Sequence, residues 1–191
     1  GIGTNEARIV TAGNNFHGRT ISIISFSTDA DSKKEFGPYT PGFIVIPYNN
    51  LEALEEMLQQ EKNIAAFMVE PIQGEAGVVV PDEGYLSKAK ALCEKYNVLF
   101  IADEIQTGLA RTGKMLACDH ENVKPDVLIC GEISEWETAE YLRDAKAKGD
   151  NISLVVLGHI ASEEPGSEFM LHWLKKKIPS ITNTHISPGN S

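Results

Sequence analysis

The sequence predicts an α/β protein with a largely parallel sheet and helices on its faces. Short apolar runs rich in β-branched residues alternate with polar or helical segments along the chain, as in folds built from β-α-β units. The helical segments carry apolar residues three and four positions apart, which favours packing against a sheet. A chain of 191 residues that is 42% hydrophobic and 23% charged has the composition of a folded globular protein.

Seven apolar runs are predicted to be strands, and residues 181–186 are a further candidate. The runs are short and contain few polar residues, which is typical of strands covered on both faces of a parallel sheet. Loop-forming segments lie between some of them, above all FGPYTPG at 36–42 and GLARTG at 108–113. The predicted strands are residues 7–12, 21–27, 43–47, 65–70, 98–103, 126–130 and 152–157.

Four helices are predicted between and after these strands. Asn50 caps the first, which runs to about residue 60, and Asp82 or Glu83 begins the second. A capping box formed by Ser134 and Glu137 begins the third, which ends at about residue 148, and the fourth spans about 164–177. The predicted inward-facing residues of the first two helices are Leu51, Leu54, Leu58, Tyr85, Leu86, Ala89, Leu92 and Cys93.

The charge and hydropathy of the chain exclude two classes of partner. The formal net charge is −10, so no excess of basic residues favours binding to phosphate backbones or anionic membranes. No apolar run approaches the roughly 18 residues that span a bilayer. We therefore expect neither a nucleic acid nor a membrane as partner.

Three cysteines, Cys93, Cys118 and Cys130, are widely spaced and form no CxxC pair. An odd, scattered set of this kind is typical of buried thiols in a reducing compartment. The chain also begins at Gly1 and shows neither the charged nor the apolar region of a signal peptide. We expect the sequence to be a segment of a longer protein.

Two acidic residues stand where predicted strands end. Glu70 closes the strand at 65–70, and Asp103 closes the strand at 98–103. Ligands of open parallel sheets bind at the carboxyl ends of strands, and a buried carboxylate there is stabilised by a cation or a hydrogen-bond donor. One interpretation is a binding site for a protonated ring nitrogen. The alternative is that each acid only caps nearby backbone amides.

Several long motifs agree with one protein family. VEPIQGEAGVVVPDEGYL at 69–86, LFIADEIQTGLARTG at 99–113, NFHGRT at 15–20 and FGPYTPGF at 36–43 occur in order and at matching spacing. Together they resemble the class III pyridoxal-phosphate aminotransferases, and within that family the ornithine aminotransferase subgroup. The resemblance covers residues 1–131 and implies a fragment of the large domain of a fold-type I pyridoxal-phosphate transferase.

The resemblance implies pyridoxal 5′-phosphate as cofactor and assigns four residues to it. Asp103 would lie against the pyridine nitrogen and keep it protonated, so that the ring accepts electrons from the substrate carbanion. Phe16 would stack on the ring, Gln106 would donate to the phenolic oxygen, and Glu70 would line the site. Adjacent to Phe16, His17 is interpreted as a hydrogen-bonded structural residue, since the family tolerates other aromatic residues there.

The resemblance also implies the substrates. Arg19 would bind the substrate carboxylate through its planar guanidinium, and Glu75 would shape the substrate end of the site together with Glu70. The implied reaction transfers the δ-amino group of ornithine to 2-oxoglutarate. The implied assembly is a homodimer, and the implied compartment is the cytoplasm, or the mitochondrial matrix in a eukaryote.

One position departs from the family pattern. The Schiff-base lysine, in a stretch of the form GKALSGG, should follow the strand at 126–130, but the sequence reads Gly131-Glu132-Ile133-Ser134. A carboxylate lacks the nucleophilic amine that binds the cofactor covalently. The family's glycine-rich phosphate-binding segment is also missing from the sequence. We therefore expect this chain, taken alone, to lack transaminase activity.

The remaining residues, 132–191, form a second predicted unit. GEISEWETAEYLRDAKAKG at 131–149 and LVVLGHIASEEPGSEFMLHWLKK at 154–176 resemble the C-terminal part of the GTP cyclohydrolase type 2-like, or Nif-three-related, dimetal family. This implies His159 and Glu163 as ligands of a divalent metal, although two ligands are fewer than a stable site uses. The alternatives are a metal-binding remnant, a fusion of two α/β fragments joined near Gly131, and a misassembled reading frame.

Overall fold

A computed structural model describes residues 2–130, 143, 146–149 and 152–156. Within these residues six strands form one sheet, in which every neighbouring pair is parallel. This confirms the predicted α/β class with a parallel sheet. The strands are β1 (Arg8–Ala12), β2 (Phe43–Ile46), β3 (Ile64–Val69), β4 (Leu99–Asp103), β5 (Val127–Cys130) and β6 (Ser153–Val156). Their order across the sheet is β2-β1-β3-β4-β5-β6.

The helices lie in the connections between strands. Asn50 caps α3 (Leu51–Gln60) as predicted, because its side-chain oxygen accepts a 2.9 Å hydrogen bond from the amide of Ala53. The predicted inward faces are also correct: Leu54 and Leu58 of α3 and Ala89 of α4 (Tyr85–Lys95) are buried. The helices are α1 (Ile21–Ile24), α2 (Ala30–Lys33), α3 (Leu51–Gln60), α4 (Tyr85–Lys95) and a 3₁₀ helix (Ala117–Glu121).

The core lies between the sheet and helices α3 and α4. Phe67 of β3 and Phe100 of β4 are both fully buried at its centre, and their ring centroids are 6.1 Å apart. Burial of side chains of this size contributes about 2–3 kcal/mol each to the free energy of unfolding. The loops at the carboxyl ends of these central strands, which carry the predicted site, therefore extend from a well-packed core.

One predicted strand is wrong. Residues 21–27 form helix α1 followed by a turn, although four of them are apolar and three are β-branched isoleucines. The hydroxyl of Ser25 donates to the carbonyl of Ile21 at 2.6 Å, and the helical turn buries both Ile24 and Phe26. Because the turn places Ile24 and Phe26 in the core, tertiary packing overrides the β propensity of the sequence.

The start of α4 also differs from the prediction. The helix begins at Tyr85 rather than at Asp82 or Glu83, because Gly84 precedes it in the left-handed conformation, with φ of 80°. A glycine adopts that conformation without the steric cost a side chain brings. The carbonyl of Asp82 accepts from the amide of Tyr85 at 3.0 Å, so the acidic residues form the turn that leads into the helix.

The predictions for the C-terminal third are only partly covered. Strand β6 confirms the one predicted at 152–157 and pairs with β5, placing Ser153 opposite Val127. The predicted helix at 164–177 and the candidate strand at 181–186 lie outside the described residues, as does most of the predicted helix at 134–148. The proposed junction near Gly131 also lies outside them.

Two further predictions concern cysteines and membrane spans. Cys93 and Cys118 are buried free thiols, as expected of core cysteines, and burial raises the pKa of Cys93 to about 12. A thiol held protonated in this way is a poor nucleophile. No helix in the described part of the chain combines the length and the hydropathy needed to cross a membrane.

Val78 should respond favourably to substitution by asparagine. It is 71% exposed and has a φ of 59°, a left-handed conformation that is costly for a β-branched residue. Asparagine tolerates this conformation, so Val78→Asn is expected to raise the free energy of unfolding by about 1 kcal/mol in urea titrations. The matched control is Val80→Asn, since Val80 is 65% exposed without a positive φ. Equal gains at both positions would contradict the strain argument.

Candidate active site

The carboxyl ends of β1 and β3 lie side by side where the order of the strands reverses. The chain passes from β1 to β2 on one side, whereas it passes from β3 to β4 on the other. This reversal in strand order is a topological switch point, where ligands of open parallel sheets bind. Three loops meet at this edge: residues 13–20 after β1, residues 70–84 after β3 and residues 104–116 after β4.

Glu70 joins the first two loops across the switch point. Its Oε2 accepts a 3.0 Å hydrogen bond from the backbone amide of Phe16, and the residue is 4% exposed. Burial raises the pKa of Glu70, and the charge of Asp103 acts in the same direction, whereas donation by the Phe16 amide opposes the shift. Glu70 therefore caps the backbone amide of Phe16, and its predicted place in a ligand site stays a prediction.

Asp103 forms a buried pair with His17. Its Oδ2 lies 2.6 Å from Nδ1 of His17, and the side chains are 3% and 0% exposed. Oδ1 accepts a 3.1 Å hydrogen bond from the amide of Ile105, so this acid also caps a backbone amide. The predicted role of His17 as a hydrogen-bonded residue is consistent with this pair. The sequence did not show that the partner would be Asp103, because the two residues are 86 positions apart.

The aromatic and cationic residues after β1 lie against each other. The guanidinium carbon of Arg19 is 5.4 Å from the centroid of the Phe16 ring, which is cation–π distance. Phe16 is half-buried and Arg19 is exposed. Both side chains therefore have surface open to solvent, and their predicted stacking and carboxylate-binding roles stay predictions.

Gln106 and Glu75 connect the loops after β4 and β3. Nε2 of Gln106 donates to Oε1 of Glu75 at 3.4 Å, and both residues are exposed. A second side-chain amide connects the loops after β3 and β1: Nε2 of buried Gln73 donates to the carbonyl of Gly13 at 2.7 Å. The three loops are thus joined by side-chain hydrogen bonds as well as by the sheet.

Glu104 was not identified from the sequence and has a different function from its neighbour Asp103. Its carboxylate is 2% exposed and accepts from the amides of Ala117 at 3.0 Å and Cys118 at 2.9 Å, and from the hydroxyl of Thr107. These amides lie at the start of the 3₁₀ helix, so Glu104 connects that helix to the residues that follow β4. The adjacent acidic pair at 103 and 104 offered no signal that the two side chains would have different partners.

The described side chains fit the ring end of pyridoxal phosphate. Asp103 offers a buried carboxylate, and each of its oxygens has two acceptor positions, of which the Ile105 and His17 contacts use one each. Gln106 has two N–H donors and uses one for Glu75. A carboxylate for a ring nitrogen, an aromatic side chain and an amide donor are therefore present at one edge of the sheet.

The predicted metal ligands and the departure from the family pattern lie elsewhere in the chain. Glu132, His159 and Glu163 are outside the described residues. Within the part that the structure describes, no group of three or more histidine, cysteine, aspartate or glutamate side chains could hold a metal ion. The divalent-metal hypothesis thus has no support from the described residues.

Sequence comparison identifies relatives of most of the chain. The aminotransferase class-III family matches residues 2–134. The mitochondrial ornithine aminotransferase of Drosophila melanogaster is 62% identical over 131 residues, or 69% of this chain and 30% of the relative. The ornithine aminotransferase of Plasmodium falciparum (isolate 3D7) is 54% identical over 155 residues, or 81% of this chain and 37% of the relative.

Structural comparison agrees with the sequence. The crystal structure of the ornithine aminotransferase from Toxoplasma gondii ME49 has 54% sequence identity and a TM-score of 0.65, and the match covers 66% of this chain and 30% of that chain. The chain thus spans about a third of the length of these relatives. Its parallel sheet is a fragment of the fold-type I architecture, as predicted. The chain belongs to the class III aminotransferase family.

Proposed function

We propose that this chain carries the cofactor-ring site of an ornithine aminotransferase-like enzyme, and that it binds pyridoxal phosphate without completing transamination. The reaction of the whole enzyme would transfer the δ-amino group of ornithine to 2-oxoglutarate. The observation that carries the proposal is the buried contact between His17 and Asp103, 2.6 Å long, beside the switch point of the sheet. Identity above 50% to ornithine aminotransferases supports the same assignment.

Asp103 would hold a proton on the ring nitrogen of the cofactor. A buried carboxylate interacts strongly with a nearby cation because little solvent screens the charge. His17 would hold the carboxylate in place through Nδ1. When bound, pyridoxal phosphate supplies an electron sink for the carbanion formed from the amino acid.

The other residues would position ring and substrate. Phe16 would stack on the ring, and Gln106 would donate its second N–H to the phenolic oxygen. Arg19 would bind the substrate carboxylate through two parallel hydrogen bonds, with Glu70 and Glu75 shaping the substrate end. The contact between Arg19 and Phe16 already places the guanidinium beside the ring that would face the cofactor.

Glu132 is the reason to expect no transamination. In the sequence, position 132 comes two residues after β5 ends at Cys130, and Ile129 of that strand pairs in register with Asp103 of β4. The family resemblance implies the cofactor-binding lysine at this position. Glutamate has no amine with which to form a covalent bond to an aldehyde.

Position 132 can be tested by borohydride trapping. We expect the native chain to bind pyridoxal phosphate saturably in equilibrium dialysis, yet to give no covalent adduct at position 132 after borohydride reduction. Glu132→Lys is expected to give a stoichiometric adduct at that residue by mass spectrometry, since it restores the amine. Glu132→Gln is the matched control, because it removes the charge without adding an amine.

Three results would contradict the proposal or the assignment of the adduct to position 132. Turnover of ornithine and 2-oxoglutarate by the native chain would show that Glu132 does not prevent catalysis. Failure of the native chain to bind pyridoxal phosphate at millimolar concentration would remove the cofactor site itself. An adduct in the glutamine variant would show that the trapped amine is elsewhere.

Assembly and compartment are proposed on the same similarity. The partners would be an amino acid, a 2-oxo acid and a second copy of the chain in a homodimer. Relatives named as mitochondrial, such as that of Drosophila melanogaster, support the mitochondrial matrix if the chain is eukaryotic, with the cytoplasm as the bacterial alternative.

A further inference from the structure

Gly74 lies directly against the side chain of Gln106. A Cβ atom at position 74 would be 2.0 Å from Oε1 of Gln106 and 2.9 Å from its Cδ. Atoms cannot approach this closely, so any side chain at this position would displace the amide. The lack of a side chain at Gly74 therefore allows the observed position of the Gln106 amide.

Conformational freedom does not explain this glycine. Gly74 is absent from the glycines with positive φ, whereas Gly77 in the same loop has a φ of 102°. An alanine at position 74 would keep an ordinary backbone conformation. The steric effect of a methyl group would therefore fall on the Gln106 side chain, which can move because it is exposed.

Glu75 fixes the other end of the amide. Its Oε1 accepts one N–H of Gln106 at 3.4 Å, while Oε1 of Gln106 lies over Gly74. Gly74 thus leaves the space that the amide occupies, and the neighbouring Glu75 orients it. The N–H that remains is the one available to a ligand oxygen.

We propose that Gly74 is a positioning residue, which sets the location and orientation of the Gln106 amide toward the cofactor. The placement of the amide depends only on this chain, whereas its use toward a phenolic oxygen rests on the proposed function. A residue that acts in this way changes ligand affinity through Gln106 alone. Its effect should therefore disappear when Gln106 is removed.

The placement is tested without any ligand by NMR of the ¹⁵N-labelled chain. The side-chain NH₂ signals of Gln106 are assigned by their loss in Gln106→Ala. We expect Gly74→Ala to shift these signals. Gly13→Ala is the matched control, because the nearest atom to a Cβ there is 3.5 Å away and its φ is not positive. It should leave the Gln106 signals unchanged, and unshifted signals in Gly74→Ala would overturn the proposal.

The consequence for the cofactor is measured by pyridoxal phosphate titration of the same variants. Gly74→Ala and Gln106→Ala should each weaken binding about two- to tenfold, the effect of one lost hydrogen bond, and the double variant should be no weaker than either. Additive losses, or unchanged affinity in Gly74→Ala, would overturn the role toward the cofactor. If the native chain binds no pyridoxal phosphate while the NMR signals shift, the proposed function fails and the placement by Gly74 stands.

Discussion

Replacing Glu104 with alanine is expected to lower the free energy of unfolding by about 4 kcal/mol. The substitution removes the acceptor for the buried amides of Ala117 and Cys118, and each unpaired amide costs about 1–3 kcal/mol. The hydroxyl of Thr107 loses its partner as well. Because the free energy of unfolding of domains is typically only about 5–15 kcal/mol, the variant should show a large fall in the urea midpoint.

Two variants separate this effect from the loss of a negative charge. Glu104→Gln keeps one acceptor oxygen and the shape of the side chain, so its cost should be smaller, about 1–3 kcal/mol. Glu56→Ala removes an exposed acid of α3 and is expected to change stability by less than about 0.5 kcal/mol. A cost for Glu104→Ala no larger than that of Glu56→Ala would show that the hydrogen bonds to the 3₁₀ helix contribute little.

Most of the strands could be predicted because each is a short apolar run that is visible in the local sequence. Buried runs such as the one that ends at Asp103 read as strands from composition alone, and the cap at Asn50 marks the start of α3. Residues 21–27 could not be predicted in the same way. Their isoleucines are compatible with a strand and with a helical turn. Only the packing of Ile24 and Phe26 in the folded protein selects the turn.

The candidate site was predictable in its residues but not in its contacts. Asp103 and Glu70 stand at the ends of predicted strands, and the family motifs point to Phe16 and Gln106. The contact of His17 with Asp103 depends on β1 and β4 lying on either side of β3, which local patterns do not specify. The hydrogen bonds of Glu104 could not be predicted for a similar reason. Its amide partners lie 13 and 14 residues away along the chain, beyond the reach of local patterns.

The other large effect is expected for Asp103→Asn, which should weaken pyridoxal phosphate binding about 10- to 100-fold. A hydrogen bond to a charged group is worth about 1.5–3 kcal/mol, and the amide no longer attracts a protonated ring nitrogen. The substitution is nearly isosteric and keeps an acceptor for the amide of Ile105, so the loop after β4 should retain its conformation. Equilibrium dialysis of both proteins measures the change.

A cofactor analogue with carbon in place of the ring nitrogen shows whether the carboxylate acts on that atom. The native chain should bind pyridoxal phosphate about 10- to 100-fold more tightly than this analogue, because only the cofactor offers Asp103 a charged donor. In Asp103→Asn the preference should largely disappear, as a double-mutant cycle requires of groups in direct contact. An equal preference in both proteins would show that the affinity arises elsewhere. The buried pair with His17 would then have a structural role only, holding the loop after β1 against β4.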